Sequence, residues 1–285
     1  MRLRLPALAI VFAATLPAAL PAGADLTLPR PSPNASVSQT IGITTLSLTY
    51  SRPGVKGRVI WGGLVPYDSL WRTGANEPTS LTISDDILVS GQKLVAGKYA
   101  IVTMPKRGAW DVAFSTQKDL QSTTNYDPKQ EVLRVTATPD TSQPHQEWMW
   151  LGFDDLTQNS CNLVLRWQRL KLAVPITVDV NASILAAAAK EVPNATRDAW
   201  RVPFRAASYC FDNNVSLDQG AQWLEQSLAA QKNHSNLALK ARWLAKDGKQ
   251  KDAIATARQA IAAGQAAKEN TAATEKLVAD WTAKK

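Results

Sequence analysis

The most constraining feature of this 285-residue chain is a change in the spacing of its apolar residues near Asn181. Before that point apolar residues recur at every second position in short runs bounded by turn residues, as at Leu46, Leu48 and Tyr50. This alternation is typical of half-buried antiparallel strands. After it, alanine becomes common, and Trp and Leu recur three and four residues apart, which is typical of amphipathic helices. The sequence therefore predicts a mainly β region followed by an α-helical region.

The β region is predicted to span residues 25–180 and to contain roughly nine or ten short strands. No helical period lies between these strands, so the crossovers that a doubly wound parallel sheet needs are missing. We therefore expect an antiparallel β-sandwich or a jelly-roll-like domain.

The helical region is predicted to span residues 181–285. Asn194 is expected to cap its first helix, and Ser216 with Gln219 to form a capping box that opens the second. Gly248 and Gly264 are expected to end the third and fourth helices, because glycine suits the left-handed cap position. A last helix is expected to include Leu277 and Trp281.

Two of these helices align with each other, with Gly220 on Ala253 and Ser227 on Ala260, an offset of 33 residues (253 − 220). This offset is close to the tetratricopeptide period of about 34 residues. It favours a tetratricopeptide-like helical domain, and a generic bundle of helical hairpins remains the alternative.

Residues 1–24 have the pattern of a secretory signal peptide. Arg2 and Arg4 precede an apolar run, and the small residues Ala22 and Ala24 follow it. We expect cleavage near Ala24 and a periplasmic or secreted product, with no transmembrane segment after the signal is removed. The formal charge of +8 falls to +6 when the two arginines are lost (8 − 2), and its even spread along the chain predicts no nucleic-acid partner.

The only two cysteines are Cys161 and Cys210. Export would permit a disulfide between them. They lie in the two different predicted domains, however, which favours two separately buried thiols.

The stretch from Tyr50 to Glu77 combines glycine, proline, arginine and tryptophan, and it is too long for a hairpin turn. It is predicted to form an elaborate ordered loop. Its guanidinium forks, flat aromatic rings and amide suit a small anionic or carbohydrate ligand, and the alternative is a structural plug in which Glu77 pairs with an arginine. The ligand-binding candidates are Arg52, Arg58, Trp61, Tyr67, Trp71, Arg72, Asn76 and Glu77.

Motifs for common catalytic sites are missing from the sequence. Its two histidines, His145 and His234, have no second ligand at metal-binding spacing, and no G-x-S-x-G elbow is present. We therefore predict no metal and no cofactor, and a non-enzymatic role is favoured. The alternative is an extracytoplasmic hydrolase acting on glycans, with Glu77 and an aspartate, Asp68 or Asp154, as its working pair.

Four ordered motifs carry a family resemblance: SRPGVKGRVIWGGLVPYDSLWRTGANEPT, LVAGKYAIVTMP, YDPKQEVLRV and FDDLTQNSCNLVLRW. They resemble the secreted bacterial family known as domain of unknown function 2911, over about residues 32–180. The resemblance implies an exported bacterial protein, often with a helical tail, and it supplies no reaction. We expect a ligand-binding or protein-interaction module of the bacterial envelope, with a protein partner at the helical domain.

Overall fold

The computed structural model describes residues 28–117, 120 and 122–283. The predicted signal peptide, residues 1–24, lies outside the described residues. Within them, two antiparallel β-sheets are followed by six α-helices. No helix in this part of the chain has the length and apolar character needed to cross a membrane.

Eleven strands form the two sheets. Sheet 1 contains six of them in the spatial order β1 (Asn34–Ile41), β2 (Thr44–Ser51), β3 (Ser80–Ile83), β6 (Gly97–Met104), β7 (Trp110–Ser115) and β8 (Glu131–Ala137). Sheet 2 contains the other five in the order β5 (Gln92–Leu94), β4 (Ile87–Val89), β11 (Leu170–Thr177), β10 (Ser160–Gln168) and β9 (Gln146–Asp154). Every pairing is antiparallel, which confirms the predicted mainly β plus α fold.

The core lies between the two sheets. Leu46 and Leu48 of β2 are buried there with Leu163 and Leu165 of β10. Along β2 the two leucines alternate with more exposed polar residues, whereas Val164, between the two leucines of β10, is buried as well. Because side chains two positions apart in a strand share a face, the four leucines point to a common interior.

The outer face of sheet 1 carries a second, smaller core. Ala100 and Val102 of β6 are buried there together with Ala113 of β7 and Leu120. Leu120 belongs to the connection between β7 and β8, and the side chain of Gln117 in that connection donates to the backbone oxygen of Asn125 at 2.7 Å. The connection therefore covers part of this face.

The helices are α1 (Val180–Glu191), α2 (Arg201–Asn213), α3 (Leu217–Ala230), α4 (His234–Lys246), α5 (Gln250–Ala266) and α6 (Ala272–Ala283). They include one element, α1, that the sequence did not predict. The change from strands to helices falls between Thr177 and Val180.

Two helix-start predictions are wrong. Asn194 ends a 3₁₀ turn, and α2 begins seven positions later, at Arg201, after a bend in the chain. Ser216 precedes α3 in a left-handed conformation (φ 43°) and makes no side-chain capping bond, so no capping box forms.

The two helix-end predictions have different outcomes. Gly248 follows α4 with a φ of 77°, which confirms the predicted left-handed stop. Gly264 is instead buried inside α5. A Cβ there would lie 2.5 Å from Cγ2 of Thr271, so this glycine permits close approach of the chain leading into α6 rather than ending α5.

The helices have a core of their own, which shares no buried residue with that of the sandwich. Helices α2 and α3 pack as one pair, and α4 and α5 as another. The aligned positions Gly220, Ser227, Ala253 and Ala260 are all buried. These positions therefore have the small side chains that close helix packing needs, and a tetratricopeptide relationship stays a prediction.

Both cysteines are free thiols, each in a different core. Burial raises the pKa of the Cys161 thiol to about 11. The favoured prediction of two separate buried thiols agrees with this arrangement.

Candidate functional site

The loop between β2 and β3 joins the two sheets. Its first part lies along β9, the edge strand of sheet 2: the Val55 amide donates to the Glu147 oxygen at 2.8 Å, and the Met149 amide to the Pro53 oxygen at 2.9 Å. Its later part lies beside β6 of sheet 1, where Trp71 and Thr103 exchange two backbone bonds of 2.7 and 2.9 Å. The loop therefore covers an open edge of one sheet and extends the other.

Two of the predicted site residues, Trp61 and Trp71, belong to a cluster of four tryptophans at the end of the sandwich. The Trp61 ring centroid lies 5.8 Å from Trp71, 4.9 Å from Trp110 and 5.7 Å from Trp167, each with edge-to-face geometry. The rings of Trp71 and Trp167 stack at 5.9 Å. Such pairs add about 0.5–1.5 kcal/mol each beyond the area they bury. The cluster fixes the middle of the loop onto the core.

Arg52 and Arg58 donate to backbone oxygens. Nε of Arg52 lies 2.8 Å from the Met149 oxygen, and Nη2 of Arg58 lies 2.6 Å from the Gly54 oxygen. Charge-assisted bonds of this kind contribute about 1.5–3 kcal/mol each. These two side chains hold the first part of the loop in place.

The side chains of Tyr67 and Asn76 also contact other residues of the protein. The Tyr67 ring lies against Gly62, and the Arg107 guanidinium is 5.2 Å from its centroid. Nδ2 of Asn76 donates to the Ser32 oxygen at 3.0 Å.

Glu77 forms an ion pair with Arg30, with 2.5 Å between Oε1 and Nη1. The hydrogen bond from Arg30 is the main cause that lowers the pKa of Glu77 below its ordinary value. The plug alternative predicted that Glu77 pairs with an arginine, and it does so with one that precedes β1 rather than one in the loop.

The eight candidates therefore do not meet at a single pocket. Trp71 and Arg72 line one depression of about 400 Å³, with the other lining residues Leu64, Val65, Pro66, Leu70, Ser122 and Thr123. Glu77 lines a different groove on the outer face of sheet 1. Neither Asp68 nor Asp154 lines the Glu77 groove.

The Glu77 groove has a volume of about 320 Å³ and a floor of small side chains. Thr49 of β2 is in register with Ser80 of β3, which is in register with Ala100 of β6. In each strand the residues next to these positions point into the core, so this row faces outward. Glu77 and Pro78 line the groove, together with Lys98, Tyr99, Thr116 and Gln117.

Sequence reasoning missed Thr49, Ser80 and Lys98. Each is an ordinary outward-facing residue in its own strand, and only the register between three strands places them together. The sequence marks these three residues as facing outward, through their place in the alternating pattern, but it does not mark them as parts of one groove.

Residues 32–176 match the family described as "Protein of unknown function (DUF2911)". The chain belongs to this family. No match was found among the curated proteins or among the solved structures. The DUF2911 region contains the loop, the tryptophan cluster and the Glu77 groove, and the helices lie beyond it.

Glu77 supplies the carboxylate of the Glu77 groove, and no second Asp or Glu is among the described residues that line it. The hydrogen bond from Arg30 holds the pKa of Glu77 below its ordinary value, whereas a general acid needs a raised pKa. Across the described part of the chain, no group of three or more His, Cys, Asp and Glu side chains is placed to hold a metal ion.

Proposed function

We propose that this DUF2911 protein is an exported, non-enzymatic binding protein of the bacterial envelope that holds a small anionic ligand in the Glu77 groove. The observation that carries the proposal is the groove itself. A volume of about 320 Å³ lies in the range of small-molecule sites, and its small floor residues leave room for a ligand.

The chemistry of the lining favours an anion with hydroxyl groups. Lys98 has an exposed ammonium group that forms no ion pair within the described residues, so it is available to a carboxylate or phosphate. The hydroxyls of Thr49 and Ser80 can donate to or accept from ligand hydroxyls. Glu77, already paired with Arg30, would orient the ligand by repelling its anionic end toward Lys98.

The glycan hydrolase is the weaker alternative. A pair of working carboxylates roughly 5–9 Å apart would be needed, and the groove has one carboxylate among its described lining residues. The lowered pKa of Glu77 also favours an ion-pairing role over proton donation.

Export and a protein partner complete the proposal. The sequence pattern of residues 1–24 and the family resemblance support passage out of the cytoplasm. The small-residue helix contacts in residues 181–285 support a helical module that binds another protein. Cell fractionation would test export: a cytoplasmic full-length product would contradict it, and a processed envelope product starting near Asp25 is expected.

Titration calorimetry of the mature chain would test ligand binding, with galacturonate, citrate and glucose 6-phosphate as probes. We expect at least one probe to bind, Lys98→Ala to weaken binding about tenfold or more, and Ser80→Leu to abolish it by filling the floor. Lys129→Ala, at an exposed lysine of the β7–β8 connection, is the matched control and should bind normally. Binding by no probe, or turnover of glycosides that Glu77→Gln abolishes, would reject the proposal.

A further inference from the structure

We infer that the outer face of sheet 2 is a second binding site, a platform for an extended polysaccharide chain built on Trp148 and Trp150. This inference does not depend on the Glu77 groove, which lies on the outer face of the opposite sheet. The platform belongs to β9, which is an edge strand.

The alternation of β9 directs both tryptophans away from the core. Met149 and Leu151 are buried between the sheets, whereas Trp148 and Trp150 occupy the intervening positions. Trp148 is 39% exposed, and it is the one tryptophan among the large, exposed apolar side chains of the described residues. The exposed part of this indole presents a flat apolar surface with a polar N–H at its edge, a combination that suits recognition of a ligand.

Gly152 lets the Trp150 ring lie flat along the strand. A Cβ at Gly152 would be 2.3 Å from Cζ2 and 2.5 Å from Cη2 of Trp150, so no other residue fits beneath the ring. The Arg166 guanidinium is 5.8 Å from the Trp150 ring centroid, and Arg166 in turn pairs with Asp154. The ring is therefore held in one orientation before any ligand arrives, which reduces the entropy lost on binding.

The Trp148 ring is positioned by the start of the β2–β3 loop. A Cβ at Gly54 would lie 3.3 Å from Cζ3 of Trp148, and Nζ of Lys56 is 5.7 Å from the ring centroid. The amide of Lys56 is itself fixed by a 2.9 Å bond to Oε1 of Glu147. The loop that closes the edge of sheet 2 thus also supports this ring.

Paired polar groups lie near Trp150, whose register partner on β10 is Arg166. Arg166 pairs with Asp154, and Nζ of Lys171 is 3.8 Å from a carboxylate oxygen of Asp154 and of Asp155. Asn162 donates to Asp155 at 2.8 Å. These groups offer donors and acceptors whose charges are already balanced, so they suit hydroxyl groups better than a strongly charged ligand.

Among the partners that tryptophan rings next to paired polar groups could bind, a sugar polymer fits best. A pyranose ring has an apolar C–H face that fits an indole and a hydroxyl-rich edge that fits the polar surround. Residues two apart in a strand are separated by about 6.6–6.8 Å, so a ligand that contacts both rings must extend along the strand over more than one sugar. A protein or lipid partner would need a wider apolar patch than two rings within polar neighbours.

Titration calorimetry and intrinsic tryptophan fluorescence of the mature full chain would test the platform, with cellohexaose, chitohexaose and xylohexaose as probes. We expect at least one hexasaccharide to bind and to shift the emission, and the corresponding monosaccharide to bind at least about tenfold more weakly. Trp148→Ala should weaken hexasaccharide binding by about tenfold or more. The exposure of Trp148 should leave the unfolding midpoint of this variant close to that of the parent.

Matched variants make the result decisive. Trp281→Ala removes a partly exposed tryptophan on α6 and should bind like the parent. Trp150→Phe keeps an aromatic ring and should bind with intermediate strength. The inference is overturned if no hexasaccharide binds, if Trp148→Ala binds as well as the parent, or if Trp281→Ala loses binding equally. Lys98→Ala separates the two sites, because it should impair the anionic probes of the Glu77 groove and leave hexasaccharide binding intact.

Discussion

At the scale of single residues, the missing side chain of Gly152 shapes the surface of sheet 2. Gly152→Ala is expected to displace the Trp150 ring, because the added Cβ would be 2.3 Å from it. The free energy of unfolding should fall by about 1–3 kcal/mol, as in other overpacked sites. Urea denaturation measures the change. Gly108→Ala is the control, since nothing lies within 4 Å of a Cβ there, and equal losses in both variants would contradict this explanation.

Glu131 provides a pH-dependent contribution at the same scale. Nε and Nη2 of Arg134 donate to its two carboxylate oxygens at 2.8 and 2.6 Å, and Tyr126 donates to it as well. The Arg134 hydrogen bonds are the main cause that lowers the pKa of Glu131. Its folded-state pKa therefore lies below its unfolded value. The resulting stability is full above the unfolded pKa and is lost as the pH falls through the folded pKa.

Glu131→Gln should therefore destabilise the protein at about pH 7 and much less at about pH 3. Urea denaturation of parent and variant at the two pH values measures this difference. Glu191→Gln, at an exposed position on α1 without an ion pair among the described residues, is the matched control and should change the free energy of unfolding little at either pH. An equal loss for Glu131→Gln at both pH values would mean that packing, not ionisation, is responsible.

At the scale of elements, the β2–β3 loop protects the edge of β9. Val55→Pro removes the amide that bonds to Glu147, so the edge of sheet 2 loses part of its cover. We expect a loss of about 1–3 kcal/mol in unfolding free energy and faster aggregation, because open edges recruit other strands. Calorimetry and light scattering give the two quantities. Val55→Ala shortens the same side chain but keeps the amide, so the two variants should differ, and matching aggregation rates would argue against edge protection.

Whether an element could be predicted depends on how far apart in the sequence the residues that form it lie. Strands such as β2 and β10 could be predicted because apolar residues recur at every second position within a single strand. Helix α1 was not predicted because none of its residues is fully buried, so its alanine-rich sequence shows no strong helical period. Asn194 and Ser216 have side chains that suit helix capping, but Asn194 lies in a 3₁₀ turn and Ser216 adopts a left-handed backbone conformation. The Glu77 groove depends on the register of three strands, which one strand's sequence does not determine.

The loop illustrates the same limit. Its residue types correctly indicated an ordered segment with forked donors and aromatic faces. Whether Arg52 would bind a ligand or a backbone oxygen depends on β9, because its partner Met149 lies nearly a hundred residues later in the chain. Local composition carries no information on that partner.

At the scale of the whole molecule, the separate cores predict separate unfolding. The sandwich core and the helical core share no buried residue, and Val180 is the first helical residue packed on the sandwich. A chain of residues 25–180 should therefore fold alone with a cooperative transition. Calorimetry of the full mature chain should show two transitions, one of which matches that fragment. An unfolded fragment would show that the helices are required for the sandwich.

The pairing of β4 with β11 has a consequence for the protein during its synthesis. Val89 is in register with Ile176, so β4 and β5 cannot join the rest of sheet 2 until β11 has left the ribosome. Until then the apolar inner face of sheet 1 lacks the part of its cover that β4, β5 and β11 provide, and a chain in that state is prone to association. A chaperone that holds the chain until then would therefore matter most for the strand region and little for the helices, whose contacts are largely between neighbours in sequence.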